Sequence, residues 1–463
     1  MNRPAVAVFL LTLAFLAPLT HGAVFLAGND ASRFAQIEAL VDGGHPFIDD
    51  SKYAWTVDRV TVGGKDYSNK PPLLSVLGAG LYLLLQKATG LTFAAHEAAT
   101  VWLLTFALAA LPTAWLAASF FCALGRQEPI PFRVRCLATA ALAAGTILTS
   151  FAGTLNNHCV TAALLFAAFR AAMDAKGWKA GLWTALAACI DIVPGVLFIP
   201  VFASFLAPDR RALARFGALL LAGAALFVAV DLAIVGHALP PKMVPGAVDH
   251  SSQFASSVAG VLLPESWTYP LECLFGWHGF FTVSPVLLFG VLGLGQALRT
   301  GAPLPRGRCL ALAATLAMMI AGHVLLVGSY GGWSYGFRYL IPIIPMILFF
   351  APPAIARHER IFGAVLAVSA LFALIGAYNP WPPAYEQEGN KNPVAALVSN
   401  PIGGNASAFL QEHFPGAGLT RGMKALFISP SKPDQARYLA LFYLDKRDAV
   451  MAENMKRIYQ RLR

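Results

Sequence analysis

The chain has 463 residues, 57% of them hydrophobic and 13% charged, with a mean hydropathy of +0.61. A soluble domain carries about 25% charged residues, so this composition excludes a chain that folds wholly in water; lipid must cover part of its apolar surface. The formal net charge of +10 sits in short loops between apolar runs, which makes it a topology signal and excludes a nucleic-acid surface.

The first apolar run starts after Arg3 and extends from Pro4 past His21 to Leu26. It competes between a cleaved signal peptide and a retained anchor; its length predicts an anchor with its basic end inside. Further apolar segments occupy 98–124, 136–153, 158–174, 179–207, 212–235, 282–298, 309–328, 338–356 and 361–377. The long segment 179–207 is interrupted near Asp191 and Pro194 and reads as two helices meeting at a tight turn. The pattern predicts an all-α polytopic membrane protein, a bundle of about 11 transmembrane helices.

Basic loops fall at Arg126 to Arg135, Arg170 to Lys179, Arg210 to Arg215, Arg299 to Arg308 and Arg357 to Arg360. With the N-terminus inside, all five face the cytoplasm, provided that Pro72–Leu85 does not cross. That stretch has only about 14 residues, short of the ~20 needed to span, so it is expected to lie along the outer surface as an interfacial helix. The outer face then holds 28–97, the turn Leu155–His158, 236–281, Ser329–Tyr335 and everything after Tyr378. This divides the chain into a transmembrane domain, 1–378, and a C-terminal outer extension, 379–463, which opens with Asn379-Pro380-Trp381-Pro382-Pro383. Asn405-Ala406-Ser407 in that extension is a formal sequon. The six cysteines, Cys122, Cys136, Cys159, Cys189, Cys273 and Cys309, form no CxxC pair and read as small buried hydrophobes.

Within the first outer segment, Phe34, Ile37 and Leu40/Val41 recur at helical spacing after Asp30, and Gly43-Gly44 ends the run. Asp30 reads as an N-cap acid on local grounds. Trp55–Val62 predicts a hairpin strand turning at Gly63-Gly64. It leads to Tyr67-Ser68-Asn69-Lys70-Pro71-Pro72, which sets Lys70 at the head of the interfacial helix. The pairs Asp49-Asp50 and Asp58-Arg59 read as solvated loop residues. Asp191 and Asp231 read as outer helix ends, and His323 as a deeper satisfied polar contact. Lys242, Asp249, His250, Glu265, Trp267, Glu272, Trp277 and His278 in the later outer loop, Leu239–Ser284, suit either sugar binding or an interfacial aromatic belt.

A helix, an acid directly after it, an amphipathic surface helix, and then Tyr67-Ser68-Asn69-Lys70-Pro71-Pro72-Leu73 together resemble the GT-C glycosyltransferases. The likeness is to bacterial members related to protein O-mannosyltransferases, aminoarabinose transferases and rhizobial lipopolysaccharide-core transferases. It is strongest over residues 1–175 and recurs at Gly332-Trp333-Ser334-Tyr335-Gly336-Phe337-Arg338-Tyr339-Leu340-Ile341-Pro342. The resemblance implies inverting transfer from a polyprenyl-phosphate sugar to an envelope lipid, glycan or protein, on the periplasmic face of a bacterial inner membrane. It makes Asp30 the base and puts Lys70 on the carrier phosphate; Arg338 is a third candidate, because an arginine at a helix end in lipid is costly unless used. Tyr67 and Tyr335 flank these motifs as expected substrate contacts. Where many relatives carry a second acid, this chain has Asn156, Asn157 and His158. Asn156 or Asn157 can hydrogen-bond substrate but cannot act as a base, and the case for a two-carboxylate metal site weakens. No cofactor is assigned, and a divalent metal is left open. A transporter or lipid flippase is the competing class, followed by a non-catalytic scaffold; the sequence names neither the sugar nor the acceptor.

Overall fold

The computed structural model describes residues 3–25, 29–126, 130–250, 268–326, 334–382 and 400–427. Its helices follow the apolar segments, with breaks where the backbone chemistry forces them. The first, α1 (Arg3–Leu16), continues through a 3-10 turn containing Pro18 to Leu19. Then α2 (Asp30–Glu38) widens into a π turn, Ala39–Gly43, and stops at Gly44, whose φ of 69° favours glycine. The strands β1 (Arg59–Val62) and β2 (Lys65–Ser68) form an antiparallel hairpin. Its turn glycines, Gly63 and Gly64, have φ of 57° and 78°, as a two-residue turn of the I′ kind requires. The expected strand is thus shorter at its start, where Trp55–Asp58 turns instead.

Next, α3 (Leu73–Thr89) buries Leu74, Gly78 and Tyr82 one turn apart and packs on α2. A π turn at Phe106–Ala110 joins α4 (Phe93–Thr105) to α5 (Leu111–Leu124). The expected run 136–153 divides at Gly145-Thr146 into α6 (Phe132–Ala144) and α7 (Ile147–Ala152). After α8 (Asn157–Met173), the run 179–207 breaks at Asp191, between α9 (Gly177–Ile190) and α10 (Ile192–Leu197), and continues as α11 (Ile199–Leu206). Asp209 caps the 26-residue α12 (Arg210–Val235), accepting from the amides of Arg211 and Ala212. Beyond it lie β3 (Val248–Asp249), α13 (Tyr269–Phe275), α14 (Leu287–Thr300) and α15 (Arg306–Leu326).

The expected single helix over 338–356 is instead a 3-10 segment, Arg338–Ile343, followed by α16 (Ile344–Leu348) and α17 (Pro352–Arg357). Pro342, Pro345 and Pro352 each remove an amide donor and crowd the preceding turn. The described membrane-type helices end with α18 (Glu359–Tyr378). Two helices, Pro401–His413 and Gly418–Leu426, follow. The first packs on α18, and Asn405 is buried with its amide donated to the Ile375 and Asn379 carbonyls. That geometry removes Asn405 from use as a glycan acceptor.

Among the described residues four helical rods are long and apolar enough to cross a membrane: Phe93–Leu124, Arg210–Val235, Arg306–Leu325 and Glu359–Tyr378. Only 17% of the apolar window in Arg210–Val235 is buried within the protein, so its surface is matched to lipid. Helix α12 lies against α9 at very short range. A side chain at Gly177 would sit 1.8 Å from the Ala212 carbonyl oxygen, and one at Gly223 would sit 2.5 Å from the Ala185 methyl. Small residues at such contacts let helix backbones approach in a membrane.

At one end of the bundle the basic loops are tied to each other. Arg126 pairs with Asp174 at 2.8 Å, Arg133 with Glu359 at 2.5 Å, and Arg308 donates to the Phe205 carbonyl at 3.1 Å. At the other end β3 adds to β1, giving the strand order β2-β1-β3 with Val60 opposite Asp249 and Thr61 opposite Val248. This small sheet joins the segments 28–97 and 236–281, which the sequence separates widely.

Candidate functional site

Helix α2 carries the site on one face. Its apolar face, Phe34, Ala35 and Ile37, packs into a cluster with Leu73, Leu74, Tyr82 and Phe93. Asn29, Arg33 and Gln36 recur at intervals of four and three, so they share a different stripe. All three are buried. Asn29 Oδ1, Arg33 Nε and Nη1, and both polar atoms of Gln36 have no hydrogen-bond partner among the described residues. Leaving such groups unpaired costs about 1–3 kcal/mol each, so this stripe is set to bind a further polar group.

Asp30 opens the helix and is 2% exposed. Its Oδ1 accepts from the Ala31 amide at 3.0 Å. Burial raises its pKa to about 7, against the lowering effect of the Ala31, Asp30 and Phe25 backbone contacts, and the nearby Asp58 charge adds to the rise. The expected local role, a carboxylate held by backbone donors, is therefore present, although the helix cap position itself is Asn29.

The hairpin delivers the cation. Lys70 Nζ meets Asp58 Oδ1 at 2.8 Å, both side chains largely buried. Asp58 is not the solvated loop residue expected from its neighbours. It also receives the Asn69 amide at 3.4 Å; the same amide reaches Asp249 Oδ1 at 3.3 Å, and Asp249 pairs with Lys242 at 2.8 Å. Strand β3 is what brings the last pair here. Burial pulls Lys70 down to about 8, opposed by Asp58 and assisted by the charges of Lys242 and Arg338. Burial raises Asp58, but Lys70, Lys242 and Arg338 outweigh it and hold the carboxyl below its ordinary value. At neutral pH the pair is ionic.

A second chain of contacts closes the site from the membrane helices. Arg33 Nη2 donates to Asn157 Oδ1 at 3.0 Å. His158 Nδ1 lies 2.8 Å from Asp191 Oδ2 and 3.3 Å from Asn157 Nδ2. Asp191 can only accept, so Nδ1 carries the proton and donates to Asp191, and the Asn157 approach is a packing contact. Asp191 reaches His158 because the backbone turns in extended conformation between α9 and α10. Burial brings Arg33 down to about 10, with Asp191, Asp58 and Asp30 opposing and Arg338 adding to the fall. It stays a guanidinium.

Arg338 is buried, stacks its guanidinium 4.7 Å from the Trp381 ring and 5.4 Å from the Tyr339 ring, and leaves Nε without a partner among the described residues. Its charge acts on Asp58, Lys70, Arg33 and His158. Trp381 is held there by the backbone bond from Tyr335 N to the Pro380 carbonyl at 2.9 Å. Tyr339 also packs edge-on to His158 and stacks with His323 at 5.3 Å. His323 Nδ1 is bonded to the Met319 carbonyl at 2.9 Å, the satisfied polar contact expected of it.

Of the residues singled out from sequence, Asp30, Lys70, Arg338, Asn157 and His158 thus converge. Three others lie apart. Asn156 caps α8, its Oδ1 accepting from the Cys159 amide at 3.1 Å and its amide donating to the Phe151 and Thr154 carbonyls. Tyr67 packs with Ile234, Val235 and Val244 on the hairpin's other side. Tyr335 is fully buried and donates its hydroxyl to the Phe372 carbonyl at 2.7 Å. Gly336 faces Ile147 and Val283 and so serves helix packing; Gly331 and Gly332 lie outside the described residues. Sequence reasoning passed over Arg33, Gln36, Asp58 as a partner of Lys70, and Asp191 as a partner of His158. Among the described residues no three His, Cys, Asp or Glu side chains group as a metal site.

No family model and no curated protein matches the chain. Among solved structures it is similar to one described as the crystal structure of ArnT from Cupriavidus metallidurans bound to undecaprenyl phosphate. The TM-score is 0.49 and the identity 14%, over 97% of this chain and 76% of that one. A likeness at that level transfers neither the lipid nor the activity to this chain.

Proposed function

We propose that the chain is a multi-pass membrane glycosyltransferase of the GT-C type. It takes a sugar from a polyprenyl-phosphate donor and gives it to a hydroxyl of an envelope lipid, glycan or protein. The observation that carries the proposal is the buried carboxyl of Asp30, its pKa raised to about 7, in one electrostatic cluster with the buried Asp58–Lys70 pair, Arg33 and Arg338. The order of the sequence motifs through Asp30, Tyr67–Leu73 and Gly332–Pro342 supports it. In this reading the acceptor oxygen forms a bond to the anomeric carbon as the bond from that carbon to the donor phosphate breaks. Asp30 takes the hydroxyl proton. Lys70 and Arg338 receive the charge left on the polyprenyl phosphate. Asp58 fixes Lys70, and Asn157 fixes one arm of Arg33, leaving its other two nitrogens and Gln36 for sugar or phosphate oxygens.

The proposal extends to topology: about 11 membrane helices, counting the shorter apolar ones, with the N-terminus cytoplasmic and the site and C-terminal extension, 379–463, periplasmic in a bacterial inner membrane. The tied basic loops at the end of the bundle opposite the sheet support that orientation. A transporter is the second reading. Asp231 favours it, because this acid within Arg210–Val235 is buried with neither oxygen partnered among the described residues.

The test is release of polyprenyl phosphate by the purified protein from lipid-linked sugars, offered one at a time with envelope extract as acceptor. Release that requires Asp30 supports transfer. Ion- or lipid-coupled flux in proteoliposomes, with no release from any donor, would establish the transporter instead.

A further inference from the structure

The opposite end of α8 borders a charged cavity that the site around Asp30 and Lys70 does not use. Asn157 and Arg170 of this 17-residue helix are about 20 Å apart at a rise of ~1.5 Å per residue. At the Arg170 end, the close of α5, the start of α6 and the close of α8 enclose a cavity of about 410 Å³. Arg126, Arg135 and Arg170 line it, with Ser119, Gly125 and Phe121.

Among the described residues the charges there are not balanced. Asp174 is the single carboxylate that pairs with these arginines among the described residues, and it is shared between Arg126 and Lys176. Among the described residues Arg135 has no carboxylate partner; its guanidinium lies 4.9 Å from the Phe121 ring. It fits because Gly125 has no side chain: a Cβ there would fall 2.4 Å from Arg135 Nη1. Arg170 donates to the Ser119 hydroxyl. The Nε atoms of Arg135 and Arg170 are buried without partners among the described residues. Three guanidiniums facing one cavity repel each other, more strongly as water is excluded. An anion between them offsets that repulsion, and the planar fork of arginine matches the oxygens of phosphate.

We propose that this arginine cleft binds a phosphate group, with Arg135 and Arg170 as its direct donors and Arg126 as a third cation held in place by Asp174. The group belongs either to an anionic phospholipid or to a soluble phosphate. Basic pockets between membrane helices at the cytoplasmic face suit lipid headgroups.

Native mass spectrometry of the detergent-purified full chain, given phosphatidylglycerol or phosphatidylcholine, reads the lipid source. Thermal stabilisation by inorganic phosphate reads the soluble one. Retention of phosphatidylglycerol over phosphatidylcholine supports a headgroup site; stabilisation by inorganic phosphate without lipid selectivity supports a soluble ligand. Either response should weaken about tenfold in Arg135→Gln and in Arg170→Gln, the loss of one charge-assisted hydrogen bond. Gly125→Leu keeps all three arginines, fills the cleft, and should weaken it as well. The proposal is overturned if Gly125→Leu and the folded arginine variants bind both anions as the wild type does. It is overturned equally if the wild type shows neither selectivity for phosphatidylglycerol nor stabilisation by inorganic phosphate.

Discussion

Replacing Asp30 by Asn separates two effects that the buried carboxyl combines. The fold holds its pKa at about 7, against an ordinary value of 3.8. That displacement corresponds to ~4 kcal/mol by which the folded chain disfavours the carboxylate. The folded pKa lies above the unfolded one, so the stability that Asp30 contributes is fully present below about pH 4 and is lost as pH rises through about 7. Asn carries no such charge. The stability of Asp30→Asn relative to wild type should therefore improve by roughly 2.5 kcal/mol between pH 5 and pH 8. Activity should move the other way, falling ~10²–10⁴-fold for loss of a general base. In the wild type, kcat/KM should rise through about pH 7 as Asp30 ionises and fall above about 8 as Lys70 loses its proton. Denaturation in detergent at the two pH values and a pH profile of donor turnover measure both arms. A stability gap independent of pH, or a rising limb that stays near pH 4, would refute the account of a desolvated base.

Lys70→Met should raise the KM for the lipid donor by about tenfold or more and remove the limb near pH 8, because a charge-assisted contact to phosphate is worth about 1.5–3 kcal/mol; an unchanged KM in steady-state titration would reject its place on the phosphate. Asp191→Asn should lower kcat by about ten- to a hundredfold, since His158 then loses the acceptor that sets its tautomer; turnover equal to wild type would make the pair structural only. Gly177→Ala should lower the melting temperature through about 1–3 kcal/mol of overpacking against Ala212 while both pH limbs stay in place, which a pH profile of the purified variant checks.

Much of the local structure was legible because single residues determine it. The stop at Gly43-Gly44, the turn at Gly63-Gly64 and the break at Asp191 each follow from backbone preferences within a few residues. The long helix expected over 338–356 failed for a reason also present in the sequence, its three prolines at 342, 345 and 352. Asp30 and Lys70 were legible only through a motif resemblance. Arg33 had a signal that went unread, since Asn29, Arg33 and Gln36 form a polar stripe on a helix whose apolar face was already recognised. Asp58 and Asp191 had none. Each looks like an ordinary loop or helix-end acid until tertiary folding brings Lys70 or His158 to it.

The sheet that joins the two outer segments also sets an order of events. The hydroxyl of Thr61 and the ring of His250, 189 positions apart, meet at 2.8 Å beside the β1–β3 pairing. During synthesis the hairpin of β1 and β2 emerges long before β3, and every helix from α3 to α12 is made in between. Loop closure of that span comes late and is slow. Lys242 and Asp249 therefore join Asp58 and Lys70 only after α3 to α12 have been made, and until then a nascent chain carries the Asp58–Lys70 pair without those partners.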